Sequence, residues 1–155
     1  MTQAVKEIPA GLPVVGDIHE DDFKDWLRLW DGNNDGVHND AVTKETWSRL
    51  LTPVFPVHGF VARVDGKMAG LMHYILHPVT GHIDPVCYMQ DLYVDPAFRK
   101  RGVGRALVVH LAAIGQREGW ARMYWLAEAN NAAAQALYND LGVKLDFTLH
   151  VLPLS

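Results

Sequence analysis

The sequence predicts a mixed α/β (α+β) fold, formed by a single domain over residues 1–155. Two helical patterns come first, a β-hairpin follows, and strands then alternate with helices to the end of the chain. Hydrophobic residues make up 49% of the chain and charged residues 21%, which is typical of a globular domain with its own core. A length of 155 residues suits one such domain and is short for two.

Hydrophobic spacing predicts the elements of the N-terminal part. A short strand is predicted near Leu12–Val15, and apolar residues recur at helical spacing from Ile18 to Trp30. The Asp-, Asn- and Gly-rich segment Asp31–Gly36 then predicts a loop. A second helix is predicted over Thr43–Leu51, because Pro53 follows and cannot continue it.

A β-hairpin is the clearest prediction in the middle of the chain. Two β-like runs, Gly59–Val64 and Lys67–His77, are separated by Asp65-Gly66, a strong two-residue turn signal. The Pro- and Gly-containing segment 78–85 is predicted to be a loop. The remaining predicted elements are a strand at 86–94, a helix at 102–117, a strand at 121–127, a helix at 131–141 and a final strand at 144–152.

Charge and cysteine content exclude several classes of protein. The net charge of −4 gives no broad basic field for nucleic acid or an anionic membrane surface. No stretch approaches the 18 or more apolar residues of a membrane span, and the N-terminus lacks the layout of a signal peptide. Cys87 is the only cysteine, so no intramolecular disulfide can form. We therefore expect a cytoplasmic protein without a nucleic-acid or membrane partner.

The segment from Gln90 to Arg105 carries the chemistry. A predicted strand ends, a basic turn containing Gly102 and Gly104 follows, and a helix begins. A helix N-terminus presents unpaired N–H groups to an anion, and glycine allows close approach of a phosphate. The segment matches neither a P-loop nor a dinucleotide-binding motif. The residues alone leave two interpretations open, a phosphate site or a basic turn that is simply solvated.

Two motifs in sequence order narrow the choice. Arg99-x-x-Gly102-x-Gly104 directly follows Leu92-Tyr93-Val94-Asp95-Pro96, and Asn131-x-x-Ala134-x-x-Leu137-Tyr138 lies downstream. Together they resemble the GCN5-related N-acetyltransferase (GNAT) superfamily, in particular its spermidine/spermine and histone or polyamine acetyltransferase branch. The resemblance covers the chain from about Gly59 to the C-terminus. It implies a mainly antiparallel mixed sheet, splayed in the middle and flanked by about four helices.

The resemblance implies acetyl-CoA as the co-substrate and assigns residues to it. The strand at Gln90–Val94 is expected to carry a bulge and to separate from the strand at 121–127, leaving its backbone to the pantetheine arm. The expected cofactor-binding residues are Leu92, Tyr93, Val94, Arg99, Lys100, Arg101, Gly102, Val103, Gly104, Arg105, Asn131 and Ala134.

The same resemblance implies direct attack of an amine on the thioester. Tyr138 matches the tyrosine that protonates the departing thiolate, although Tyr138 on its own would be interpreted as a core aromatic. Polyamine-acetylating relatives carry a glutamate before the aspartate of this strand, whereas this chain has Gln90, which cannot act as a base. Asp91 is then the candidate that accepts a proton or binds the ammonium group. Gln90, Trp30 and Asp31 are assigned to the acceptor site.

The expected acceptor is a small cationic amine, an amino acid or a lysine side chain, and the expected assembly is a homodimer. The alternative from a different class is a non-catalytic acyl-CoA-binding module that acts as a sensor or in assembly. No metal site is expected, because the spacing of His73, His77 and His82 does not suit zinc. The pair Trp26 and Trp30, at helical spacing, is interpreted as core or dimer contact.

Overall fold

The computed structural model describes residues 8–155, so the first seven residues of the predicted domain lie outside the described part. In chain order the elements are β1 (Pro13–Asp17), α1 (Phe23–Asn33), α2 (Asp40–Leu50), β2 (Val57–Val64), β3 (Lys67–Val79), β4 (His82–Val94), α3 (Val103–Glu118), β5 (Arg122–Tyr124) and α4 (Ala132–Leu141). Short 3₁₀ turns precede α1 at Glu20–Asp22 and follow β4 at Pro96–Phe98. The described residues form two compact units, one ending at Trp125 and the other covering Leu126–Ser155.

The five strands of the first unit form one sheet in the order β1-β2-β3-β4-β5. The first three pairings are antiparallel and the last, between β4 and β5, is parallel. The sheet is therefore mixed and mainly antiparallel, as predicted.

The turn between β2 and β3 follows directly from its residues. Asp65 and Gly66 have φ of 49° and 79°, and Val64 pairs with Lys67 across the turn. Positive φ at both central positions gives a turn whose twist matches that of the strands. The Asp-Gly prediction is confirmed.

Helices cover both faces of the sheet. Trp26 and Leu29 of α1 pack with Val61 and Leu71 of the sheet in one buried cluster. The neighbouring strand residue Gly70 instead approaches Val103 of α3. Since successive strand residues point to opposite faces, α1 and α3 lie on opposite sides of the sheet.

Both N-terminal helices differ from their predicted bounds. Asp31 to Asn33 form the last turn of α1 rather than a loop, and the chain leaves the helix through positive φ at Asp35 and Gly36. The second helix starts at Asp40 instead of Thr43, because the Asn39 side chain accepts a hydrogen bond from the backbone N–H of Val42 at 3.1 Å.

The predicted loop over 78–85 is wrong. Strands β3 and β4 continue into it and leave a tight turn at Thr80 and Gly81. Proline is tolerated because the pairing shifts register between His77 and Val79, which leaves Pro78 outside the ladder. The resulting long hairpin pairs β4 with β3 from Gly70 to Val79.

The helix after the basic turn is close to its predicted bounds. Gly102 and Gly119 flank α3, each with φ of 76° in the left-handed region. The strand that follows is shorter than predicted, since only Arg122–Tyr124 pair with β4.

The second unit contains α4, and the side chain of Asn131 caps the N-terminus of this helix. Residues 144–152 do not form the predicted strand, and in residues 8–155 the sheet ends at β5. Their sequence alternates between apolar and polar residues, but a strand forms only when a neighbouring strand supplies hydrogen bonds. The predicted strand is therefore wrong, because it rested on this alternation alone.

Candidate active site

A β-bulge lies in β4 at Gln90. His73 of β3 pairs with Asp91, whereas the next residue, Tyr74, pairs with Met89, so Gln90 is the extra residue. Gln90 is exposed. A bulge interrupts the ladder and bends the strand, which re-aims the side chains beside it. The bulge expected in Gln90–Val94 is confirmed.

The same strand loses its parallel neighbour at this point. β4 pairs with β5 only over Val86–Tyr88, and from Met89 to Val94 that edge has no strand partner within residues 8–155. An edge of this kind leaves backbone N–H and C=O groups available to another molecule. Leu92, Tyr93 and Val94 all lie on it.

The chain after β4 is held by Asp95. Its carboxylate accepts a hydrogen bond from the N–H of Ala97 at 2.9 Å and forms an ion pair with Arg28 of α1. Burial by itself would raise the pKa of Asp95, but the Ala97 N–H and the Arg28 guanidinium lower this pKa below its ordinary value. The turn that leads to α3 is thereby fixed to both α1 and the sheet.

The first turn of α3 is open to an anion. Its N-cap is Gly102, which has no side chain to accept from the first N–H groups, and the turn contains no acidic residue. The backbone reaches it through positive φ at both Lys100 and Gly102. Unpaired N–H groups and partial positive charge collect at such a terminus.

Basic side chains surround this helix terminus. Arg99 donates to the carbonyl of Val94 at 3.2 Å and lies 5.8 Å from the centre of the Tyr93 ring. Arg101 lies 5.6 Å from the centre of the Phe98 ring. Arg99, Lys100, Arg101 and Arg105 are all exposed. Glycines, helix N–H groups and cationic side chains therefore all lie at the N-terminus of α3, and this combination is suited to binding a phosphate group.

A buried hydrogen-bonded network adjoins the bulge. The indole N–H of Trp26 donates to Nε2 of His73 at 3.0 Å, and Nδ1 of His73 lies 3.1 Å from Oδ2 of Asp91. Asn33 donates to the other carboxylate oxygen, Oδ1, at 3.1 Å. Trp26 and His73 are buried, while 21% of the Asp91 side chain stays exposed. Asp91 is thus held at both oxygens and remains within reach of a ligand.

The two α1 residues assigned to the acceptor site lie in different surroundings. The Trp30 ring stacks on Trp26 at 5.6 Å, and its N–H donates to the Thr43 hydroxyl at 3.1 Å. Asp31 pairs with His38 at 3.0 Å near the surface, and this hydrogen bond raises the pKa of His38. The interpretation of Trp26 as core is confirmed, and Trp30 packs against it.

Tyr93 lies against α1. A Cβ built at Gly32 would be 2.5 Å from the Tyr93 hydroxyl, so only glycine leaves room for the ring at this position. The helix can therefore approach β4 closely, which brings Asn33 within reach of Asp91.

In the second unit, Asn131 and Ala134 contact one another at the start of α4. The Asn131 side chain accepts from the Ala134 N–H at 3.1 Å and caps the helix. Tyr138 lies on the same helix and is partly buried. Burial raises the pKa of its phenol, so the group stays protonated at neutral pH.

His73 and Asn33 belong to the site but are not predicted from the sequence. His73 fits no metal-ligand spacing, and Asn33 falls in the predicted loop. The signal that could have found them is the hairpin between β3 and β4, whose register brings His73 opposite Asp91. Deriving that register requires both the tight turn after Val79 and the bulge at Gln90, and short-range patterns reveal neither.

Within residues 8–155, no group of three or more His, Cys, Asp or Glu side chains is arranged to hold a metal ion. No helix in that range is long and apolar enough to cross a membrane.

Comparison with known proteins identifies relatives of the chain. Residues 17–143 match the family model described as the Acetyltransferase (GNAT) family. The D-amino-acid N-acetyltransferase HPA3 of Saccharomyces cerevisiae is 32% identical over 142 residues, 88% of this chain and 88% of that protein. The thialysine N-epsilon-acetyltransferase of Caenorhabditis elegans is 34% identical over 85 residues, which are 55% of this chain and 52% of that protein.

A solved structure agrees in fold. The aminoglycoside N-acetyltransferase AAC(6')-Iy in complex with CoA superposes with a TM-score of 0.79. The match covers 96% of this chain and 100% of that chain at 19% sequence identity.

Proposed function

This chain belongs to the GNAT family and is an N-acetyltransferase, and on that basis we propose that it transfers an acetyl group from acetyl-CoA to a primary amine. The acceptor is a small cationic amine, an amino acid or a lysine side chain. The names of the relatives support this range, since HPA3 is named for D-amino acids and the nematode relative for thialysine.

One observation carries the proposal. A bulge at Gln90, an edge of β4 without a strand partner and the uncapped first turn of α3 follow one another along a single stretch of chain. Each exposes backbone hydrogen-bonding groups, and the last of them adds positive charge.

The pyrophosphate of acetyl-CoA binds at the start of α3. The N–H groups of the first helical turn donate to its oxygens, and Gly102 and Gly104 allow the backbone to approach closely. The basic residues Arg99, Lys100, Arg101 and Arg105 supply formal charge. The side chain of Val103 is buried against the sheet and cannot reach the ligand. Val103 therefore contributes through its backbone N–H.

The pantetheine arm extends along the edge of β4. Leu92, Tyr93 and Val94 contact it through backbone groups, in the manner of a strand added to a sheet. Resemblance to the family assigns Asn131 and Ala134 to the same arm, and within α4 the Asn131 side chain also serves as the helix cap.

Asp91 receives the amine. Its carboxylate is oriented by Asn33 and His73 and stays partly exposed, so it can bind an ammonium group and accept a proton from it, directly or through water. Gln90 and the α1 residues Trp30 and Asp31 complete the acceptor site.

The reaction is direct transfer. The amine loses one proton to Asp91 or to water, and its nitrogen attacks the thioester carbonyl carbon. The resulting oxyanion accepts a hydrogen bond from a backbone N–H near Leu92. The carbon–sulfur bond then breaks, and the thiolate takes a proton from Tyr138. The nitrogen gives up its second proton to solvent water, and solvent returns a proton to the tyrosinate, so that the neutral amide, free thiol and original phenol result. Burial keeps Tyr138 protonated at neutral pH, so its O–H is available to the thiolate as it departs.

We also propose that the enzyme works as a homodimer. The apolar side chains at alternate positions 143, 145, 147, 149 and 151 are all exposed, and Phe147 is 83% exposed. Exposed apolar side chains at every second position of one segment are suited to contact with a second copy of the chain.

The test of the reaction is thiol release from acetyl-CoA over a panel of polyamines, D- and L-amino acids, aminoglycosides and lysine peptides. We expect release that depends on the amine, with the acetylated product identified by mass spectrometry. Thermal stabilisation by acetyl-CoA without release for any amine would contradict the reaction and favour an acyl-CoA-binding module.

A further inference from the structure

In the network beside the bulge, the chemistry of each group determines which atom donates and which accepts each hydrogen bond. An indole N–H can only donate, so Nε2 of His73 accepts from Trp26 at 3.0 Å. A neutral imidazole that accepts at one nitrogen carries its proton on the other. Nδ1 of His73 therefore donates to Oδ2 of Asp91 at 3.1 Å.

From this geometry we propose that His73 is a positioning residue for the acceptor amine. Trp26 fixes its tautomer, and His73 together with Asn33 holds the Asp91 carboxylate in one orientation at the bulge. The inference rests on the proposed role of Asp91 in receiving the amine.

Two donors from different elements immobilise the carboxylate. His73 lies on β3 and holds Oδ2, while Asn33 lies in the last turn of α1 and holds Oδ1. A carboxylate has about four lone-pair sites, so two remain for a ligand. The 21% exposure of the Asp91 side chain allows a ligand to reach them.

His73 itself takes no proton from the substrate. In a Ser-His-Asp arrangement, Nε2 of the histidine faces the nucleophile and removes its proton. Here that lone pair is occupied by the Trp26 N–H, and 3% of His73 is exposed. The Trp30 ring, 5.4 Å away, covers another part of the imidazole. His73 therefore acts through Asp91 alone.

A purely structural role would also account for a buried network, because the same bonds tie α1 to the sheet. Two variants separate the roles. The amide of asparagine can replace Nδ1 of histidine, so His73→Asn keeps a donor for Asp91 and loses the acceptor for Trp26. The longer His73→Gln keeps the acceptor for Trp26 and loses the donor for Asp91. Each variant gives up one hydrogen bond of a buried group, so both should lose stability, while only His73→Gln loses the bond to Asp91.

The measurement is steady-state kinetics with the best amine of the panel, alongside thermal denaturation. His73→Gln should raise the KM for the amine and lower kcat/KM by about 10- to 100-fold, the range for losing a hydrogen bond to a charged group. His73→Asn should lose at least about tenfold less. The KM for acetyl-CoA should stay unchanged in both. Adding His73→Gln to Asp91→Asn should cost no more than Asp91→Asn alone, because His73 acts through that carboxylate.

Equal losses in the two His73 variants, or full additivity with Asp91→Asn, would overturn the proposal. Wild-type kinetics in Asp91→Asn would overturn it and leave the acetyltransferase reaction standing. Absence of thiol release from the wild type with every amine would overturn the proposed function as well. If His73→Gln does not fold, Asn33→Leu removes the other donor to Asp91, and its kcat/KM should fall in the same range; an unchanged value would again refute the positioning role.

Discussion

Replacing Gly70 by alanine tests how closely α3 packs on the sheet. Gly70 is buried on β3, and a Cβ at this position would lie 2.9 Å from Cγ1 of Val103 and 3.2 Å from Cδ1 of Leu107. Carbon atoms in ordinary contact are about 3.5–4.0 Å apart. The backbone oxygen of Tyr93 lies 3.2 Å away on another side, so the new methyl group has no free direction.

The expected cost follows from this overlap. Adding a methylene to a packed core costs about 1–3 kcal/mol. For a chain of this length, 1 kcal/mol shifts the melting temperature by about 2–4 °C. Gly70→Ala should therefore melt about 2–12 °C below the wild type in a calorimetric or circular-dichroism scan. Because Val103 is the first residue of α3, affinity for CoA should fall as well.

The matched control is Gly16→Ala. Gly16 also lies in a strand, but a Cβ there meets no atom within 4 Å. Such a substitution should be neutral or stabilise by about 0.4–1 kcal/mol, since alanine reduces the entropy of the unfolded chain. Trimming the neighbour in Gly70→Ala/Val103→Ala should make the double variant less destabilised than the sum of its parts by about 0.5 kcal/mol or more. Equal melting temperatures for the two glycine variants, or strict additivity in the double variant, would refute the close packing.

Four further predictions concern the site and the assembly. Gly104→Leu should weaken CoA binding about tenfold or more by calorimetric titration, because the side chain blocks the close approach of the pyrophosphate to the first turn of α3. The helix itself should stay intact, since leucine favours a helix over glycine by up to about 1 kcal/mol. Unchanged affinity would contradict the pyrophosphate assignment. Tyr138→Phe should lower kcat about 10²- to 10⁴-fold with little change in the KM for acetyl-CoA, and full turnover in the variant would exclude the acid role. Because burial raises the pKa of the Tyr138 phenol, the wild type should lose activity through this group only above about pH 10. Burial raises the pKa of Cys87 from 9.0 to about 12, so at pH 8 the native thiol should react with a disulfide reagent about a thousandfold more slowly than in urea, and immediate reaction would contradict its burial. Phe147→Asp should convert a dimer to a monomer by light scattering, whereas a monomeric wild type would end the dimer proposal.

Local chemistry made much of the fold predictable. The Asp65-Gly66 turn depends on two adjacent residues, and Gly102 and Gly119 mark the two ends of α3. The basic turn before that helix is a contiguous motif as well. Signals of this kind act within a few residues, so the sequence alone reveals them.

The rest depends on contacts between distant residues. The continuation of β3 through Pro78 requires a partner strand and a register shift, and the bulge at Gln90 requires knowledge of what lies opposite. The bonds of His73 to Trp26 and Asp91 join residues that are 47 and 18 positions apart. Residues 144–152 show that a local pattern alone is not sufficient. Their apolar and polar residues alternate as in a strand, but within the described part of the chain they pair with no other strand.

The bulge also separates two parts of β4 that would otherwise constrain each other. In a regular strand, residues two apart share a face, yet Met89 pairs with Tyr74 and Asp91 pairs with His73, so the two lie on opposite faces of the sheet. Met89 is buried and Asp91 is partly exposed. One extra residue, Gln90, is enough for this arrangement, because the pairs on both sides of it keep their partners. The strand can therefore bury one side chain in the core and present the other beside its open edge, two demands that a regular strand could not meet at positions two apart.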